Sequence, residues 1–321
     1  MATKRSFRVL DGAMGSALRD RGVRVPSSFT SVWSAASLIE APKEVTQLHE
    51  DYIKAGADII TTNNYMVTRT ALSRAGWENR IEELTVKACQ YAIQARTAAG
   101  AKEVKIAGSI PPLTNSYQTR NGLEKSETEK QYKEIADIVA QYVDILLCET
   151  QPEALEASIA AKAASVHGKP VWVAFTLEDD FALDAAANKL APVLRSGQSL
   201  EYALKNLEGI NNLEAVLVNC SDPETCTLAV KEISKLISQD GNVNLDKNIE
   251  VGWYSNARPT SDAFKREKEE DGDKRPVEPE FDEKMFASQA SDALANGATI
   301  VGGCCGTTPE HIKHISKLKQ G

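Results

Sequence analysis

The chain predicts a single parallel (β/α)8 barrel, and three observations carry that expectation. Short apolar, β-branched runs alternate with helical stretches about eight times. The length, 321 residues, suits such a barrel. Polar and cysteine residues recur just where the strands end, the face on which parallel barrels keep their sites. No Gly-x-Gly-x-x-Gly follows the first strand, which argues against an open doubly wound sheet.

The elements follow in order. Phe7 to Gly15 reads as a short strand that ends at Asp11 and enters a glycine turn. Ser27 to Leu38 reads as a loop holding Trp33. Pro42 opens a helix through Ala55, with Gly56 as its stop. Ala57–Thr62 is the second strand, tipped by Asn63, Asn64 and Tyr65. A helix from about Asn79 to Ala99 carries Cys89 in its core face. Val104–Ser109 is the third strand, followed by a loop stiffened by Pro111 and Pro112, then a helix near Ser126–Gln141.

Val143–Thr150 is the fourth strand, and Pro152 announces the next helix. Neighbouring strand residues face opposite ways, so Glu149 at the tip faces the site while Cys148 faces the helix layer. Pro170–Thr176 is the fifth strand, and a helix near Leu200–Asn206 follows Arg195-Ser-Gly197. Leu213–Cys220 is the sixth, with Ser221-Asp-Pro223 as a helix start; Cys226 in that helix reads as packed. Ile249–Tyr254 is the seventh. A mixed-charge segment, about 257–280, reads as a solvated surface loop. A helix near Asp282–Asn296, an eighth strand at Thr299–Val301 and a last helix from Pro309 to about Lys319 complete the chain.

Composition narrows the function. The net charge is −8, which argues against nucleic acid as a partner. No apolar run approaches a membrane span or a signal peptide, so the expectation is a soluble, cytoplasmic protein without a membrane partner. Its six cysteines are then expected to be reduced, buried or metal-bound rather than disulfide-bonded. The oligomeric state is not encoded in any recognisable motif.

The site begins with Gly302-Gly-Cys-Cys-Gly306, where a strand breaks into a turn. Two adjacent cysteines can aim at one point only if the backbone leaves extended geometry, which the glycines permit. Two buried small hydrophobes are the alternative; the vicinal pair in a glycine turn favours a thiolate metal site. Cys220, at the tip of the sixth strand, supplies a third sulfur. Three thiolates and one open position suit Zn2+. Such an electron-rich site suits activation of a thiol substrate better than of water, and its natural partner is an onium methyl donor. Asp11 and Glu149 are placed to hold an ammonium group, and the Gly12, Ala13 and Met14 backbone to hold a carboxylate. The four histidines fall on helices or their ends and are not expected as ligands.

Asp11-Gly-Ala-Met-Gly15, Cys148-Glu-Thr150, Val218-Asn-Cys220 and Gly302-Gly-Cys-Cys-Gly-Thr-Thr-Pro-Glu-His311 together resemble the homocysteine S-methyltransferases, from about Val9 to Ile315. The resemblance implies one homocysteine-binding barrel domain over 1–321, with zinc on Cys220, Cys304 and Cys305. It also implies homocysteine held by Asp11, the Gly12–Met14 backbone and Glu149, next to Asn219. Trp33 matches an aromatic that lines the site in relatives and equally fits a packing role at the rim. The expected reaction is direct methyl transfer to L-homocysteine, giving L-methionine. S-methylmethionine and S-adenosylmethionine are the favoured donors, and betaine is an ammonium candidate. The alternatives are methylation of another small thiol or selenol, and a zinc- or thiol-binding barrel without turnover. Two loops depart from the family pattern: Thr62-Asn-Asn-Tyr-Met66, and Ser109-Ile-Pro-Pro-Leu113 in place of Gly-Pro-Tyr-Gly. Tyr65, Tyr117 and Trp253 are candidates for cation–π contact with the donor.

Overall fold

A computed structural model describes residues 6–28, 30–114, 122–178, 191–238, 241–257 and 282–320. Tyr117, and all of the charged loop except Ala257, lie outside them. Eight parallel strands form one sheet: β1 Arg8–Val9, β2 Ile59–Thr61, β3 Lys105–Ile110, β4 Ile145–Gln151, β5 Val171–Thr176, β6 Leu213–Asn219, β7 Glu250–Ser255 and β8 Ile300–Gly303. The order runs β1-β8-β7-β6-β5-β4-β3-β2, and a bridge from Leu10 to Ile59 closes β1 onto β2. This is the predicted (β/α)8 barrel.

The barrel has two apolar layers, separated by the two-residue alternation of each strand. Leu10, Ile59, Ala107, Leu147, Trp172, Leu217, Tyr254 and Ile300 fill the interior. Their sequence neighbours Ile60, Ile106, Cys148, Val173, Val216, Trp253 and Val301 pack outward against the helices. At β3, glycine is required for this fit: a Cβ on Gly108 would lie 2.1 Å from a Val139 methyl.

The long helices lie where the caps and periodicity place them. Pro42–Lys54 starts on its proline and ends before Gly56, whose φ of +99° suits glycine. Pro223–Ile237 and Glu283–Ala295 begin on Asp222 and Asp282, whose carboxylates accept first-turn amides. Ile81–Ala98, Lys125–Val139, Ala154–Ser165, Leu200–Lys205 and Pro309–Lys317 complete the expected set. The Ser27–Leu38 reading needs correction, because Trp33–Ala36 is a 3-10 turn that runs into the helix Ser37–Glu40. Two further short helices, Gly15–Asp20 and Arg69–Ser73, were not anticipated. Each is too short to show a helical period in sequence. Among the described residues no helix is long and apolar enough to cross a membrane.

Candidate functional site

Cys220, Cys304 and Cys305 converge at the C-terminal mouth of the barrel, with their sulfurs within 4.8 Å of one another. Inward-facing Asn219 would be followed by an outward residue if β6 simply continued. Instead Cys220 takes φ +51°, a left-handed conformation rare outside glycine, and its sulfur joins the pair from β8. Cys304 still pairs with β7 through its N–H to the Ser255 carbonyl at 2.7 Å. The chain then turns, with the Thr307 N–H donating to the Cys304 carbonyl at 3.1 Å and Gly306 at φ +82°. The Cys305 N–H donates to Asn256 Oδ1 at 3.1 Å, which fixes the second cysteine of the turn.

The Cys220 and Cys304 sulfurs are in direct contact as a disulfide pair, with Cα atoms 5.6 Å apart. The sequence led to the expectation of no disulfide. A disulfide and a thiolate metal site demand the same convergence, however, and the third sulfur beside the pair belongs only to the second. A tetrahedral zinc with bonds of about 2.3 Å would space its sulfurs by about 3.8 Å, so the Cys220–Cys304 pair would have to open to admit it, while all three sulfurs already lie inside 4.8 Å. Three soft donors fit zinc by chemistry as well.

Asp11 and Glu149 stand at the tips of β1 and β4, both buried. Asp11 Oδ2 accepts from the Thr61 N–H at 2.7 Å and Oδ1 from the Thr61 hydroxyl at 3.1 Å. Burial pushes Asp11 up to about 8 despite those bonds, and the nearby Glu149 adds to the rise. Burial likewise raises Glu149 to about 7, with the Ser109 hydroxyl pulling the other way. Two desolvated carboxyls of this kind favour a bound cation. Asn219 is fully buried and donates through Nδ2 to Thr150 Oγ1 at 2.8 Å, steadying a second left-handed residue, Thr150 at φ +56°.

The glycine turn after β1 is pinned from two sides. The Ala13 N–H donates to Thr307 Oγ1 at 3.0 Å, and the Tyr52 hydroxyl donates to the Ala13 carbonyl at 2.6 Å. A Cβ on Gly12 would sit 2.7 Å from Thr307 Oγ1 and 2.9 Å from Tyr52. The Ala13 amide is therefore already used, whereas those of Gly12 and Met14 make no hydrogen bond among the described residues. Trp33, itself at φ +46°, lies against Gly15, with the Arg19 guanidinium 4.5 Å from its ring centroid. That contact places Trp33 beside the same turn.

Thr307 is the residue that sequence reading missed. Its hydroxyl donates to the Cys304 carbonyl at 2.7 Å and accepts from Ala13, so one side chain joins the cysteine turn to the glycine turn. The two unusual loops are also tied together. Thr62 Oγ1 donates to Asn64 Oδ1 at 2.6 Å, Asn64 Nδ2 donates to the Ser109 carbonyl at 2.8 Å, and the Ser109 N–H returns to Thr62 Oγ1 at 3.0 Å. Trp253 is a correction: it is fully buried in the helix layer, 5.2 Å from Phe286, with its indole N–H on the Pro223 carbonyl. It cannot meet a donor at the mouth. His49 and His311 are buried within helices.

Comparisons with known proteins converge on one family. The sequence profile described as Homocysteine S-methyltransferase matches residues 8–318. Homocysteine S-methyltransferase 1 of Brassica oleracea var. italica is 30% identical, over 96% of this chain and 92% of its own length. Homocysteine S-methyltransferase of Escherichia coli (strain K12) is 26% identical over 96% of this chain and 94% of its own. Selenocysteine methyltransferase of Astragalus bisulcatus is 26% identical over 97% of this chain and 91% of its own. The crystal structure of the homocysteine methyltransferase MmuM from Escherichia coli, metallated form, shares the fold with a TM-score of 0.76 at 23% identity, covering 98% of this chain and 96% of that one. With the profile spanning both cysteine motifs and the Asp11 turn, the chain belongs to the homocysteine S-methyltransferase family.

Proposed function

We propose that this protein transfers a methyl group from a small onium donor, S-methylmethionine or S-adenosylmethionine, to the thiol of L-homocysteine, giving L-methionine. The observation that carries the reading is the convergence of three cysteine sulfurs within 4.8 Å at the mouth of a barrel that also buries two carboxyls, Asp11 and Glu149, at its strand ends. Cys220, Cys304 and Cys305 would hold Zn2+. When bound there, zinc lowers the pKa of a thiol from roughly 8.5, so that a substrate thiol reacts as thiolate at neutral pH.

The chain's own residues do the rest. Asp11 and Glu149 receive the ammonium group, which keeps both carboxyls ionised. The unused amides of Gly12 and Met14 support the carboxylate reading for that turn, whereas the Ala13 amide holds the turn in place. Asn219 anchors the Thr150 and Cys220 turns between which the substrate chain lies. Trp33 closes the side of the glycine turn. No covalent intermediate with the protein is needed, because thiolate and onium carbon meet in line. The donor enters past the Asn63–Met66 and Ser109–Leu113 loops, locked together through Thr62 and Asn64.

The test is a donor panel. Zinc-loaded protein is incubated with homocysteine and S-methylmethionine, S-adenosylmethionine or betaine, and methionine is quantified by mass. The reading expects turnover with a sulfonium donor. Absence of methionine with every donor, in protein shown to hold zinc, would overturn it in favour of a binding protein. A thiol panel that includes selenocysteine tests the second acceptor, which the Astragalus bisulcatus relative's name brings into view.

A further inference from the structure

We propose that Tyr254 is a substrate-positioning residue whose hydroxyl oxygen accepts the third hydrogen bond of the substrate's primary ammonium group, alongside Asp11 and Glu149. This deepens the reading above and rests on it, because it takes the ligand to be an α-amino thiol.

Three observations place the residue. Alternation along β7 turns Trp253 outward and Tyr254 inward, and the Tyr254 ring lies in the interior cluster with Leu10, Leu217 and Ile300, on which Cys304 rests. The side chain is 6% exposed, yet its hydroxyl meets no hydrogen-bond partner among the described residues. Buried polar groups are almost always paired, so an orphan at the mouth of a site is one that a ligand or a water satisfies. Its register neighbour on β6, Asn219, carries a second orphan, Oδ1, in the same region. Burial holds the Tyr254 hydroxyl well above its ordinary pKa, and among the neighbouring charges Glu149 contributes more than Asp11. The oxygen therefore lies within electrostatic reach of both carboxyls and stays protonated.

The chemistry follows from counting donors. A primary ammonium has three N–H groups. Two carboxylates more than offset its charge and take two of them. The third would face the interior wall of Leu10, Leu217 and Ile300 if nothing there could accept it. A third carboxylate would solve that at the expense of more repulsion, since Glu149 already raises Asp11. A phenol oxygen adds an acceptor without adding charge.

The test compares two thiols on zinc-loaded, full-length protein by calorimetry: homocysteine, and 4-mercaptobutanoate, which lacks only the ammonium. Tyr254→Phe should weaken homocysteine about tenfold, the loss expected for one hydrogen bond to a charged group, and leave 4-mercaptobutanoate within about twofold. Zinc content should not change. Equal losses for both thiols, or an unchanged homocysteine affinity, would overturn the assignment. Should the Phe variant fail to fold, the wild-type protein supplies the answer: N-methylhomocysteine, with one N–H fewer, should bind about tenfold more weakly, and equal affinity would overturn the proposal. If wild-type protein binds no thiol at all, the functional reading falls and this proposal with it. Normal wild-type binding with an unaffected variant removes Tyr254 alone.

Discussion

Thr307→Val isolates the staple between the two turns of the site. Valine keeps the shape of threonine and deletes only the hydroxyl, which bonds Cys304 at 2.7 Å and Ala13 at 3.0 Å. Thr307 is fully buried, so the Ala13 amide is left unpaired, whereas the Cys304 carbonyl keeps the Thr307 N–H. An unsatisfied buried group costs about 1–3 kcal/mol, and with one such group we expect about 2 kcal/mol. A chain of 321 residues has an unfolding entropy of about 0.7 kcal/mol/K, so the melting temperature should fall by about 3 °C. Function should suffer more than stability. Partners that orient metal ligands are typically worth 10–100-fold in metal affinity, so zinc should be lost to a chelator at a concentration that leaves wild-type protein loaded. Differential scanning calorimetry and a chelator titration make the two measurements. Wild-type values for both would show that the turns hold their geometry without Thr307.

Four further outcomes follow from the same geometry. Cys304→Ser should remove most bound zinc and the methyl transfer activity, as read by metal analysis and methionine formation. Gly12→Ala should abolish homocysteine binding, because its Cβ would meet Thr307 Oγ1 at 2.7 Å and Tyr52 at 2.9 Å; calorimetry showing normal affinity would contradict this. Homocysteine affinity should rise between pH 6 and 8, since an ammonium needs ionised carboxyls and those of Glu149 and Asp11 are raised to about 7 and about 8. Asp11→Asn should melt no lower than wild type at pH 8 yet bind homocysteine poorly. The sign is set by the raised carboxyl: the folded state keeps a proton that the unfolded chain has lost, so ligand-free protein loses stability as pH climbs from about 4 toward about 8. A neutral amide removes that cost, and thermal melts across pH read it directly.

Much of this was legible because local rules govern it. The strand and helix pattern, the Pro42, Asp222 and Asp282 caps and the Gly56 stop all follow from neighbouring residues. The period of two separated Cys148 from Glu149, and the structure keeps them apart. The same rule, applied to β7, would have turned Trp253 outward and brought Tyr254 to attention; the larger aromatic drew the assignment instead. What could not be read was long-range. No local signal marks Thr307, whose bond to Ala13 spans 294 residues. Nor does any local signal announce a left-handed cysteine at position 220 or a left-handed threonine at position 150. Such conformations are imposed by the surrounding structure rather than by propensity. The disulfide contact between Cys220 and Cys304 is another long-range outcome, reached by two segments 84 residues apart.

X-ray absorption at the zinc edge, taken before and after homocysteine is added, reaches the central claim most directly. The account predicts three sulfur neighbours at about 2.3 Å in the resting protein, and a fourth sulfur once homocysteine is present. A zinc shell dominated by nitrogen or oxygen, or one that homocysteine leaves unchanged, would contradict it.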